Sequence, residues 1–443
     1  MNNYKMYLYL LLIYILIIYF FSPLSYSHQY ILQIFIIYVL ATYFYLKGKK
    51  ITNYFEYEPI FICVYPLLVY IYPLLVFDED NPYLFSFFLP YNTDCINAGV
   101  CVSTIVIISF YIGNLYLPVF KRQINVHNYK RIPNTLFLIC SFVLYIFYYL
   151  AGGFENYRNI YMGYGGESAI HSYLLVIIQT IFPIMNFNEM WNKKQNKNYH
   201  YCWAVFLLSI IVMLHFLFSG SRGNAMLIAL SIIISYCVLI KRQPLIKLLG
   251  FIAVGIVVMW MFQSLRAGSE IKTDREYYYL LSDLFIPGTN TFLAVDIVNS
   301  EGCTYGVSSL APILSVIPFL QSIVSSWGLT SEQTNSAEIF TNYIGSSSGM
   351  GTNFTADIYL AFGLLGTLII PYFFGRWIAV LRSRVGLSYY SALLYIIISG
   401  FSVYMVRSSA FFLLKFIVFS LIISSFLIYL SLLSRKLLCN KIY

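Results

Sequence analysis

Apolar residues in this 443-residue chain come in continuous runs, and short polar pieces interrupt the runs at near-regular intervals. Twelve stretches suit helices crossing a hydrocarbon core about 30 Å thick. They cover residues 6–24, 30–46, 59–77, 98–117, 134–151, 168–187, 201–219, 223–240, 244–262, 355–375, 388–405 and 409–433. Membrane-spanning barrels show apolar residues at every second position, and these runs do not. The pattern therefore predicts an all-α polytopic transmembrane bundle of about twelve helices, built as one integral membrane domain over residues 1–443. The first run has only Lys5 ahead of it and no small-residue cleavage site, so it reads as a retained helix and not a removed signal peptide.

One connection stands apart. Residues 263–354, between the ninth and tenth stretches, form a segment of about 90 residues, whereas most others are under about 20. It holds an aromatic run (Tyr277–Leu281), an apolar stretch (Val307–Phe319) and a small-residue tract (Gly345–Gly351). A loop this long is usually functional. The apolar stretch suits a helix lying at the membrane interface or a re-entrant piece. The tract suits a hinge or a close approach of backbone to ligand.

Composition agrees with a membrane class: 10% of residues are charged and mean hydropathy is +0.73. A soluble domain carries about 25% charged residues. Threading the twelve stretches through a bilayer places 20 of the 27 Lys and Arg on alternate pieces. These include Lys47, Lys49 and Lys50; Lys193, Lys194 and Lys197; and Arg376, Arg382 and Arg384. Of the acidic residues, only Glu56, Glu58 and Glu189 share that side. The positive-inside rule then sets both termini in the cytoplasm. It also accounts for the net charge of +9 without a nucleic-acid partner.

The exceptions carry the candidate chemistry. Arg158, Arg222, Arg266, Arg275 and Arg407 fall on the outer side, together with Lys272, and Lys415 falls within the last stretch. Ser219-Gly220-Ser221-Arg222-Gly223 is the whole turn between the seventh and eighth stretches, so the free N–H groups of a helix start lie next to an arginine. That combination suits a phosphate or diphosphate. The alternative is a tight turn whose arginine reaches lipid headgroups. Val406-Arg407-Ser408-Ser409 repeats the arrangement before the last stretch, with either serine placed to cap it. Lys415, six to seven residues further on, is expected about 10 Å into the membrane, facing a cavity or snorkelling outward.

Arg266 sits beside small residues where the ninth stretch ends, and Arg275 follows in a mixed-charge stretch. Gly152-Gly153 precede Arg158, with Tyr161, Tyr164 and Glu167 after it. Aromatic rings mixed with carboxylates suit sugars, whose C–H faces stack while their hydroxyls hydrogen-bond. Among candidate general bases, Asp357 is partly intramembrane, which sets it apart from the loop carboxylates Asp283, Asp296, Glu167 and Glu270. His171 and His215 lie near outer helix ends, where a lone histidine is more often a packing residue. The eight cysteines form no CxxC and no Cys/His cluster, so no metal or cofactor is indicated. Cys95 and Cys303, on outer pieces, are expected as free thiols, with a disulfide as the alternative in an oxidising compartment.

These pieces together resemble the bacterial O-antigen polymerases, the Wzy-type oligosaccharide repeat-unit polymerases. The resemblance covers most of the chain as layout: about a dozen helices, inner termini, a large late outer loop, and richness in Tyr, Phe and Ile. Its local carriers are Phe218-Ser-Gly-Ser-Arg222-Gly, the Gly-Gly…Tyr-Arg158 loop, Asp357-Ile-Tyr-Leu-Ala-Phe-Gly363-Leu-Leu-Gly366, and Arg407-Ser-Ser. It implies a GT-C-like glycosyltransferase of the inner membrane that transfers a chain from one undecaprenyl-diphosphate-linked oligosaccharide to another at the periplasmic face. Arg222, Arg266 and Arg407 would then act on the leaving diphosphate and Asp357 as a candidate base. Arg158, Arg275, Lys415, Tyr161 and His215 would bind substrate, and a chain-length regulator would be a further partner. Two other classes stay open. An O-antigen ligase would be expected to carry a His in the large outer loop, and residues 263–354 have none. A lipid-linked-oligosaccharide flippase would be expected to line a central cavity with charge.

Overall fold

The computed structural model describes residues 2–78, 91–115, 134–161, 169–267, 276–346 and 349–439. Among them every regular element is helical. Continuous apolar runs fold this way because a backbone away from water must satisfy its own N–H and C=O groups, and a helix does so within one segment. Each of the twelve stretches falls on a helix: α1 (Asn2–Phe20), α2 (His28–Lys49), α3 (Tyr57–Ile71, extended by a π turn Tyr72–Val76), α4 (Ile96–Asn114), α5 (Thr135–Leu150), α7 (Ala169–Gln195), α8 (Trp203–Phe218), α9 (Arg222–Leu239), α10 (Leu245–Ala267), and three later ones; the short α6 (Gly153–Tyr161) follows α5 and belongs to none of the stretches. Among the described residues eight helices are long and apolar enough to cross a membrane, or nine if α5 and α6, bent by 53°, form one span. Three shorter apolar helices lie at 203–218, 245–257 and 389–400.

The two ends of the bundle differ. At one, Tyr4 lies beside Gly48, Arg242 donates to the Thr52 hydroxyl (3.1 Å) and Tyr54 N–H donates to Gln243 O (3.1 Å). So the start of α1, the connection after α2 and the connection after α9 meet, as alternate threading requires. The same end buries two of the three acidic residues assigned to it in one polar cluster. Arg382 holds Glu56 with two 2.6 Å bonds. Glu58 accepts from Tyr395 (2.9 Å) and Asn114 (3.3 Å) and pairs with Lys49 (3.5 Å). The third, Glu189, is fully buried and accepts from Asn134 (2.6 Å), Tyr199 (2.9 Å) and Cys202 N–H (2.9 Å).

Helix α4 runs through the centre of the bundle, and every residue from Gly99 to Asn114 is buried. Its small residues let other backbones come close, which is how helices associate without a hydrophobic driving force. A Cβ at Gly113 would strike the Tyr372 carbonyl, and one at Gly375 the Phe110 carbonyl.

The segment 263–354 is not one loop. α10 continues to Ala267, and α11 (Glu276–Glu301) follows as a 26-residue helix. Its Phe292 packs on Gly99 of α4, and Gly288 meets the Leu68 carbonyl of α3. The sequence hides this helix because Asp283 and Asp296 cut its apolar run short. Asp296 is satisfied by Asn92 (2.9 Å) and Tyr343 (2.9 Å), so its charge does not keep the helix out of the bundle. Beyond it come short helices α12 (Leu310–Leu314), α13 (Leu320–Ser326), α14 (Ser331–Thr334) and α15 (Ser336–Ile344).

α16 (Phe354–Arg384) is broken at Gly363, where φ is 59° and ψ is −154°. The rings of Phe354 and Phe374 lie 5.7 Å apart, although 20 residues of continuous helix would rise about 30 Å. Residues 354–362 are therefore a half-helix folded back beside the longer arm. The break leaves carbonyls without partners in the helix, and Thr304 N–H and Gly306 N–H supply them: each bonds at 3.0 Å, to Leu360 O and Ala361 O. α17 (Tyr389–Gly400), the single turn α18 (Ser402–Met405) and α19 (Leu413–Cys439) complete the chain.

The backbone at Gly363 lies where essentially only glycine is found, at a cost of about 1–3 kcal/mol for other residues. A Cβ there would also lie 2.8 Å from Cys303 Sγ, whereas one at Gly386 would meet nothing. Gly363→Ala should lower the thermal unfolding midpoint of the detergent-solubilised protein, and Gly386→Ala should leave it near wild type.

Candidate functional site

Three pieces, distant in sequence, come together at the end opposite the Glu56 cluster. The first is the turn between α8 and α9. Gly220 takes φ 86°, which lets Ser221 N–H reach back to Phe216 O (2.8 Å) and Arg222 N–H to Gly220 O (3.1 Å). Arg222 opens α9 and is half-buried. The Ser221 hydroxyl beside it is buried and makes no hydrogen bond among the described residues.

The second piece is the turn between α17 and α19. Arg407 N–H and the Ser408 hydroxyl both bond Tyr404 O, at 3.0 and 2.8 Å. Ser408 thus closes its own turn, where the sequence suggested a cap for the next helix. The two turns touch: a Cβ on Gly223 would lie 3.5 Å from the Tyr404 ring. The turns that carry Arg222 and Arg407, 185 positions apart in the chain, therefore lie side by side.

The third piece is the half-helix of α16. Asn353 caps it, accepting from Ala356 N–H (2.8 Å) while donating to Pro287 O (2.6 Å). Phe354 N–H reaches Val406 O (3.4 Å), and Asp357 Oδ2 accepts from Ala410 N–H (2.9 Å), which ties the half-helix to the Arg407 turn. Asp357 is fully buried, and its Oδ1 makes no hydrogen bond among the described residues although Ser309 and Ser336 flank it. The positive end of the half-helix faces the turn that carries Arg407, which favours negative charge there.

Other candidates take different places. α19 begins at Leu413, so Lys415 lies in its first turn and not well inside a helix; its ammonium lies over the Phe412 and Phe416 rings, 5.1 and 5.3 Å from their centroids. His215 packs among aromatics, with Nδ1 2.8 Å from the Tyr145 hydroxyl and Phe154 at 5.0 Å, and His171 Nε2 lies 3.0 Å from Ala151 O. Both are packing residues of the α5–α8 corner. Arg158 is exposed on α6, whose Phe154 touches that corner. Tyr161 ends α6 and Arg266 falls in the last turn of α10, while Arg275, Tyr164, Glu167 and Glu270 lie outside the described residues. Asp296 serves α11, as described above. Cys95 and Cys303 are free thiols, Cys95 Sγ donating to Asp296 Oδ1 at 3.8 Å, and burial pushes the Cys303 thiol above its usual value. No group of three or more potential metal ligands occurs among the described residues.

Sequence reasoning did not find Asn353, Tyr404 or Ser309. An N-cap signal was present for Asn353, an Asn before an apolar helix start just after glycines. Tyr404 and Ser309 carry no local signal, because their partners come from other helices.

Comparison with protein-family profiles, with curated protein sequences and with solved structures gave no match for this chain.

The Ala410 N–H depends on the Asp357 side chain. Asp357→Ala strands that buried donor at a cost of about 1–3 kcal/mol. Asp357→Asn keeps an acceptor oxygen at the same place. Thermal unfolding should show a clear drop for the alanine variant and a small one for the asparagine.

Proposed function

We propose that this chain polymerises oligosaccharides carried on undecaprenyl diphosphate, as a GT-C-like membrane glycosyltransferase acting at the periplasmic face of a bacterial inner membrane. The observation that carries the reading is the convergence of the Arg222 turn and the Arg407 turn on the half-helix that bears Asp357. Two arginine-bearing turns beside a half-helix that carries a carboxylate are what glycosyl transfer from a lipid diphosphate needs.

In the reaction, an acceptor hydroxyl oxygen attacks the anomeric carbon of the donor sugar. The bond from that carbon to the diphosphate oxygen breaks, and its electron pair leaves with the diphosphate. Arg222 and Arg407 stabilise that charge, and arginine suits the task because its planar fork binds phosphate oxygens two at a time. The hydroxyl proton passes to a base, for which Asp357 is the candidate at this convergence. Arg266 and Arg275 are assigned to diphosphate binding by their sequence position, and Arg158 with Tyr161 to the glycan. The lipid bilayer delivers both substrates, and a chain-length regulator is the proposed protein partner.

A transport reading has one observation in its favour. α16 is a discontinuous helix with a buried half-helix start, and lipid-linked-oligosaccharide flippases would use such a break to hold an anion. The ligase reading still lacks its loop histidine.

A lipopolysaccharide gel from a host deleted for this gene separates polymerisation from the other two. Polymerisation predicts core carrying a single repeat unit in the deletion and a full ladder on complementation. Arg222→Ala and Arg407→Ala, at wild-type protein levels, should each lower ladder synthesis by about 100-fold or more, the scale for losing one transition-state donor. Bare core in the deletion would refute polymerisation and leave flipping or ligation.

A further inference from the structure

We infer that residues 302–331 form an elbow whose apolar edge is immersed in membrane lipid at the Arg222 end of the bundle. No charged residue occurs between Glu301 and Glu332. The elbow is fastened on its inner side: Thr304 and Gly306 bond the half-helix of α16, and Ser308, Ser309, Ala311 and Val324 are buried. Its outer side shows Ile313, Ile317, Phe319, Ile323, Trp327 and Leu329, from 38% to 77% exposed.

The position of this edge identifies what covers it. Phe319 N–H donates to the Tyr173 hydroxyl (3.3 Å) and the two rings lie 6.0 Å apart, which sets the elbow against the first turns of α7. Ile170, on the same turns, is 66% exposed on a helix apolar enough to cross a membrane. α12 lies against α19, another such helix. The exposed edge is thus continuous with the surface those helices turn to lipid.

The polar groups of the elbow suit the same surroundings. Lipid-facing backbone must bond within the protein. Here Ser315, Val316, Ile317, Leu320 and Ile323 N–H groups all find carbonyls within the elbow, at 2.9–3.2 Å. Two serine hydroxyls fold back as well, Ser315 to Pro312 O (2.8 Å) and Ser326 to Ile323 O (2.6 Å). Trp327, at 77% exposure, is the residue type that settles at the headgroup boundary. Ser309, on the buried side of the elbow, flanks Asp357.

The test uses the full chain in lipid nanodiscs and the difference in fluorescence between wild type and Trp327→Phe, which isolates Trp327 from the other four of five tryptophans. Immersion predicts blue-shifted Trp327 emission that loses intensity in lipids brominated along the acyl chain and resists aqueous iodide. Water-like emission, quenched by iodide and unchanged by brominated lipid, would overturn the proposal. Emission quenched by neither would also overturn it, since a second copy or another protein would then cover the edge. Ile317→Trp, read as a difference against wild type, reports on the elbow in the same way without replacing Trp327.

Discussion

Two backbone hydrogen bonds hold the arrangement on which the site depends. Where α16 breaks at Gly363, the carbonyls of Leu360 and Ala361 would be stranded in an apolar interior, and each stranded group would cost several kcal/mol. Thr304 and Gly306 fill both positions. This lets the chain reverse, so that residues 354–362 stand as a half-helix with a buried start. Without the reversal Phe354 would lie about 30 Å along the helix from Phe374, and Asp357 would be carried away from the Arg407 turn with it. The site is thus made by satisfied backbone as much as by the side chains it displays.

The same rule governs the opposite end. Glu56, Glu58 and Glu189 would each be expensive to bury alone, and each instead has two or more partners drawn from different parts of the chain. Pairs of this kind contribute little net stability, because desolvation offsets the attraction. What they do is link elements: Glu56 joins α16 to the start of α3, and Glu58 joins α3 to α2, α4 and α17. Glycine contacts between α4 and α16 act alongside them, since Gly113 and Gly375 allow the two backbones to touch. One end of α16 is therefore fixed by charge and close packing, and the other is free to fold back.

That division sets the candidate site and the clamped scaffold at different ends. Arg222, Arg407 and Asp357 sit on turns and on a short half-helix, where the Ser221 hydroxyl and Asp357 Oδ1 make no hydrogen bond among the described residues. At the clamped end the buried carboxylates are all engaged by partners. The proposed transfer from a lipid diphosphate would draw on such a contrast, with the arginine-bearing turns at one end and a scaffold held by paired carboxylates at the other.

The sequence by itself determined the helical class and the stretches of chain that its long apolar runs turn into helix. Apolar run length and charge sign are local properties, so they can be read without knowing any contact. It also marked Arg222, Arg407 and Asp357 as unusual, because a charge kept against its expected side is visible along the chain. Tertiary structure alone decided that α11 enters the bundle and that α16 reverses at Gly363. It decided as well that the Arg222 and Arg407 turns meet, and that His215 lies against Tyr145 and Phe154. In each case the deciding partner is remote: Asn92 and Tyr343 satisfy Asp296, Thr304 and Gly306 cap a broken helix, and Tyr404 reaches Gly223. Hydrogen bonds and ring contacts formed across a fold leave no periodicity in the chain, so only the packed structure reveals them.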